Sequence, residues 1–237
     1  MKNVLVVLVL MFSGCTSFPF SGTSSSFQHT EFLLEAEEAL DGLISNSGEG
    51  IPPILLRHTK AIVVFPNLVK AAVIAGTRVG KGVVIARSLK TGKWNPPAFI
   101  KFRQASWGIQ AGIQEAELVL LVVTKKGLKQ LFKRQFSLTE GPQLAIGPVG
   151  KTLDLNLDKL LSRNDILAYS RIKGLFAGIS FEDTIISSDK YTNYEYYQQV
   201  VSNRSLLIGE KGIKIPVSGQ VFLKSVKRLE TQAGNKR

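Results

Sequence analysis

From Thr30, the apolar residues Phe32, Leu33, Ala36, Ala39, Leu40, Leu43 and Ile44 recur at helical spacing, with Glu35, Glu37, Glu38 and Asp41 between them. This pattern predicts an amphipathic helix with Thr30 as its N-cap and Gly48 as its stop. Anionic lipid would repel its acidic polar face, so packing on a domain is the expected role. Pro52 and Pro53 open a short helical turn toward Arg57. From Ala61 to Thr124 the pattern changes to short Val- and Ile-rich runs separated by Gly, Asn and Pro, which predict strands over 61–65, 70–78, 82–88, 98–102, 108–114 and 117–123. A short helix is expected over 127–134, and further strands over 143–147, 167–172 and 175–181. Tyr191, Tyr194, Tyr197 and Val201 return to helical spacing, and Pro216 opens a last helix with Val217, Val221, Val226 and Leu229 expected inward. The strand connections are too short for crossover helices, which excludes a doubly wound sheet. The expected fold class is α+β: a single antiparallel, barrel-like or strongly curved sheet flanked by helices, one N-terminal and amphipathic, one C-terminal.

Upstream, Lys2 precedes the apolar run Val4 to Phe12, followed by Ser13, Gly14 and Cys15. A basic start, a short apolar core and small residues form the pattern of a signal peptide, and nine apolar residues are too few to span a bilayer. The Ser-Gly-Cys end resembles the lipobox of bacterial lipoproteins, with Phe12 where Leu is usual. That resemblance implies that Cys15 carries the lipid and becomes the mature N-terminus. Thr16, where Asp would signal inner-membrane retention, favours the outer membrane facing the periplasm. The Ser-rich, aperiodic stretch that follows reads as a flexible tether. The expected organisation is therefore a signal peptide over 1–14, a tether over 15–29, a domain over 30–230 and a tail over 231–237.

Composition narrows the chemistry. Of 237 residues 44% are hydrophobic and 20% charged, which excludes disorder for most of the chain. Thirty Lys and Arg against eighteen Asp and Glu give a net charge of +12, which calls for an anionic partner or surface. The excess is concentrated, because no Asp or Glu occurs between Ile51 and Gln114. Lys60, Lys70, Arg78, Lys81, Lys101 and Arg103, all in this stretch, are the candidate residues of a basic surface for phosphates. Side chains on one pleat face would make a basic surface; scattered lysines would instead protect sheet edges from aggregation.

One Cys and two His exclude a multi-ligand Cys/His metal site and a disulfide framework, and no cofactor is expected. Gly76-Thr77-Arg78-Val79-Gly80-Lys81-Gly82 lacks the spacing and the hydroxyl of a phosphate loop and reads as a glycine turn between strands. His58 has no nominated partner. The acidic pairs Glu115/Glu117, Asp154/Asp158 and Glu182/Asp183 fit caps and surface ion pairs, so no catalytic constellation is expected. Trp94, Phe99, Phe102 and Trp107 among the cations suit base stacking, but an exported, lipid-anchored chain argues against nucleic acid.

The ordered set Ala61-Ile62-Val63-Val64-Phe65-Pro66, Lys70-Ala71, Gly76 to Val83, Trp94-Asn95-Pro96-Pro97-Ala98-Phe99, Gly108-Ile109-Gln110-Ala111-Gly112, Gly147-Pro148-Val149-Gly150 and Tyr169 to Gly178 resembles the SYLF family over about Glu35 to Leu207. Asn95, Ala105 and Asp183 depart from the family pattern. The resemblance implies binding of anionic phospholipids, phosphoinositides in eukaryotic members, actin binding in some of them, and no catalysis. It transfers no lipid-contacting residue. Two functions are thus expected to compete: an anchored module for anionic headgroups, and an envelope scaffold for an acidic protein or polysaccharide, with actin as a partner only inside a host cell.

Overall fold

The computed structural model describes residues 25–45, 50–72, 75–107, 112–147, 157–172, 175–176 and 179–235. The signal peptide, Cys15, most of the tether and the expected helix stop at Gly48 lie outside them. Seven helices are described: α1 (Ser25–Ser45), α2 (Pro53–His58), α3 (Lys125–Leu131), α4 (Leu157–Arg163), α5 (Lys190–Tyr197), α6 (Asn203–Ile208) and α7 (Val217–Asn235). The strands are β1 (Ala61–Ala72), β2 (Ala75–Ala86), β3 (Ala98–Trp107), β4 (Gly112–Val122), β5 (Gln135–Ser137), β6 (Leu144–Ile146), β7 (Ile166–Ile172), β8 (Leu175–Phe176) and β9 (Thr184–Ser188).

One curled, half-barrel sheet runs in the order β5-β9-β3-β2-β1-β4-β7-β6, with β8 beside β7. Its pairs are antiparallel except β6 with β7, which lie parallel. The expected α+β class and curved sheet are therefore observed. The three strands expected over 61–88 are two long ones, paired from Ala61↔Ala86 to Ala72↔Gly76.

The expected turn at Gly76–Gly82 is not there: these residues lie inside β2, and none has a positive φ. Gly80 and Gly82 are needed for close approach instead. A Cβ on Gly80 would stand 2.6 Å from the Asn67 carbonyl oxygen, and one on Gly82 2.4 Å from the Phe65 ring. The cause is a bulge in β1, whose register with β4 shifts between Phe65 and Leu68.

Register divides the side chains between two faces, since directly opposed residues share a face. Phe65, Phe102, Val84, Leu118 and Ile186 lie on the curled-in face, where the Phe65 and Phe102 rings meet edge-on at 5.3 Å. Ile62, Val83, Phe99 and Val119 lie on the other, under α1.

His29, Leu33, Ala36, Leu40 and Leu43 form the buried stripe of α1 at steps of three and four. Ser25, before the expected cap, is already helical; Thr30 is internal and donates its hydroxyl back to the Ser26 carbonyl at 2.9 Å. α7 packs on α1 and α2. Phe222, Val226 and Leu229 point inward, whereas Val217 and Val221, expected inside, are exposed. α7 is tied down by Glu230, whose carboxylate takes the Arg87 guanidinium at 2.6 Å while that guanidinium stacks on Trp94 at 4.0 Å.

Candidate functional site

The pleat separates the six nominated cations. Lys81 and Lys101 are directly opposed on β2 and β3, and Arg103 stands opposite Val79, all on the α1 face of the sheet. Lys70 and Arg78 are opposed on β1 and β2 but on the curled-in face. Lys60 precedes β1, ten residues from Lys70, or about 30 Å of strand. The cations therefore form a patch of three, a pair on the other face and one distant residue.

The patch is built from two neighbouring rows. One is Lys81, Lys101 and Ser187; the other is Val79, Arg103 and Ile185. Val79 is 45% exposed and Ile185 43%, so Arg103 emerges between two apolar side chains. Lys101 is committed elsewhere, its ammonium lying 3.1 Å from the Asp189 carboxylate, which is only 2% exposed. Asp189 also caps α5 by accepting from the Thr192 amide at 3.2 Å and the Thr192 hydroxyl at 2.9 Å. Burial alone would push Asp189 upward, but these hydrogen bonds and the Lys101 charge hold it below the usual carboxylate range. Among the described residues no carboxylate pairs with Lys81 or Arg103.

Beside Lys81 a polar crevice of about 520 Å³ opens between α1, β3 and α5, lined by His29, Phe99, Tyr191 and Glu195 among others. His29, expected in the tether, is instead buried between the Phe99 and Tyr196 rings at 5.7 and 5.6 Å, 3.9 Å from Glu195. Burial pushes its pKa down, against the pull of Glu195. A sequence signal existed: His29 stands four residues before Leu33, in register with the apolar stripe.

On the curled-in face Arg78 is 5% exposed. Its Nη1 donates to Gln104 Oε1 at 3.4 Å and its Nη2 to Gln114 Oε1 at 3.0 Å, while Nε has no acceptor among the described residues. Neither Gln104 nor Gln114 belongs to a sequence motif that would mark it as a partner of Arg78. His58 is exposed at the end of α2, and among the described residues no group of three or more His, Cys, Asp or Glu can hold a metal. Phe99 and Phe102 are core residues and Trp94 lies under Arg87, so these three rings do not form a stacking surface. No described helix is long and apolar enough to cross a membrane.

Residues 103–229 match a family model described as "Ysc84: Las17-binding protein actin regulator". The chain is 32% identical over 162 residues to the SH3 domain-containing YSC84-like protein 1 of Bos taurus, covering 68% of this chain and 46% of that protein. The Homo sapiens protein of the same name is 31% identical over the same length and shares. Protein YSC84 of Saccharomyces cerevisiae is 28% identical over 188 residues, covering 78% of this chain and 38% of the yeast protein. The chain thus spans about half the length of its mammalian relatives or less. No solved structure matches it.

Proposed function

We propose, from the premise that the chain belongs to the Ysc84 family, the SYLF family of its motifs, that it is a non-catalytic binding module for anionic phospholipid headgroups. The observation that carries this reading is the pair of exposed rows on β2, β3 and β9, where Lys81 and Arg103 stand beside Val79 and Ile185. Cations reach the phosphates, and the two apolar side chains on either side of Arg103 enter the headgroup boundary. Lys101 helps to hold the patch together through Asp189. Acylation at Cys15, on the bacterial envelope, would keep the module on a membrane and make weak headgroup contacts sufficient, since two acyl chains anchor stably.

Each cation near an anionic surface contributes about 1 kcal/mol, and the effect fades within a Debye length of about 8–10 Å. Co-sedimentation with phosphatidylglycerol and phosphoinositide vesicles tests the reading. Neutralising Lys81 and Arg103 together is expected to weaken binding by about 2 kcal/mol, or about 30-fold. Unchanged binding in that double variant would remove the patch from the mechanism.

A protein partner is the second reading, favoured by the family description, which names Las17 binding and actin regulation. It predicts a stoichiometric complex that survives detergent extraction and does not depend on anionic lipid.

A further inference from the structure

Arg78 poses a physical problem that the surface patch does not answer. The residue is 5% exposed, and among the described residues no carboxylate lies within ion-pair distance of its guanidinium. Burying a charge without a counter-charge is among the costlier choices a fold can make. Its two partners among the described residues are neutral amide oxygens, and they satisfy two of its five N–H donors. Its buried Nε–H has no acceptor among the described residues. Burial also lowers the pKa of Arg78, the direction expected of a cation without a compensating anion.

The surroundings are fixed. Gln104 Nε2 donates to the backbone carbonyls of Ser180 at 2.7 Å and Glu182 at 3.1 Å, which turns the Gln104 carbonyl toward Arg78. Gln114 holds the guanidinium from β4, and Lys70, opposite both Arg78 and Gln114, adds a second cation on the same face. A planar fork of donors, oriented by two amides and placed beside another cation, is the geometry that receives an oxyanion.

We propose that Arg78, held by Gln104 and Gln114 inside the curl of the sheet, is a recognition site for one phosphoryl oxyanion, separate from the exposed patch. The ligand chemistry is a phosphate group, whether from a lipid headgroup or from free phosphate. The proposal deepens the headgroup reading, and its test separates the two.

The test follows the Arg78 Nε–H resonance and the melting temperature of the full chain as inorganic phosphate or short-chain soluble phosphatidate is added, with chloride at matched ionic strength and short-chain phosphatidylcholine as controls. Saturable shifts of both signals with a phosphoryl ligand support the site. Response to free phosphate assigns it to phosphate generally; response to phosphatidate alone assigns it to the headgroup.

The decisive variant is Gln114→Glu, a near-isosteric change that places a carboxylate within reach of the Arg78 guanidinium. It supplies the missing anion from within, so phosphate affinity should fall about tenfold or more. No response in the parent chain, an equal response to chloride, or an undiminished response in Gln114→Glu would overturn the proposal. Neutralising Lys81 and Arg103 is expected to leave the phosphate response intact while vesicle binding falls, so the surface and the internal site fail independently.

Discussion

Gly82 gives the sharpest test of how this sheet is packed. Ordinarily Gly→Ala inside a strand gains about 0.5–1 kcal/mol, because glycine loses more backbone freedom on folding. Here the sign should reverse. The added methyl would stand 2.4 Å from Cδ1 and Cε1 of Phe65 and 2.9 Å from the Val64 carbonyl oxygen. Phe65 is fully buried and braced by Phe102, so its ring has no cheap retreat. Overpacking of this kind costs about 1–3 kcal/mol. Phe65→Ala alone empties the site and costs about 3–5 kcal/mol.

Because the clash and the cavity occupy the same space, the double variant should be at least about 1 kcal/mol more stable than the two costs summed. Urea unfolding of the four proteins supplies the cycle. A neutral or stabilising Gly82→Ala, or costs that add within about 0.3–0.5 kcal/mol, would refute the close-approach argument. It would return Gly82 to a purely conformational role.

Two further outcomes follow from buried ionisable groups. His29 takes up a proton near 6.5 when unfolded but only at lower pH when folded, so its contribution to stability is complete above that value and declines below it. His29→Phe should remove this dependence, read as melting temperature between about pH 7.5 and about pH 5.5; an unchanged slope would place the titration elsewhere. Asp165 accepts from the Thr124 hydroxyl, from the Gln143 amide at 2.9 Å and from Lys126 at 3.1 Å. Burial alone would raise its pKa, but these partners lower it. Its stabilisation is therefore present above the ordinary value of 3.8 and lost as pH falls through the lowered one. Asp165→Asn should cost about 2–3 kcal/mol and flatten the acid limb of the stability curve; an acid limb as steep as before would contradict this.

The long apolar runs made the helices at either end, the strand-rich middle and the fold class legible, since periodicity over ten or more residues is a strong signal. What escaped depends on pairing. β5 and β9 hold three and five residues, too few to show a period, yet β9 supplies Ile185 and Ser187 to the patch. The division of the cations was hidden for a different reason. Lys60 and Lys70 have the same parity in the chain, but the β1 bulge at Pro66 and Asn67 adds a residue and inverts the faces beyond it. Val217 and Val221 fit the helical period as well as Phe222 does, and only the position of α1 decides which of them is covered.

The exposed patch as the membrane-facing surface is tested most directly by a label on it. The chain has one cysteine, so Cys15→Ser combined with Ile185→Cys gives a single site for an environment-sensitive fluorophore in the Arg103 row, directly beside Arg103. Phosphatidylglycerol vesicles should shift its emission to the blue, the shift should fade as salt is raised, and phosphatidylcholine vesicles should produce none. A label at Ile146, 67% exposed on β6 at the sheet's edge, should stay in water. Vesicle binding with no shift at Ile185, or an equal shift at Ile146, would contradict the assignment of β2, β3 and β9 as the lipid-binding surface.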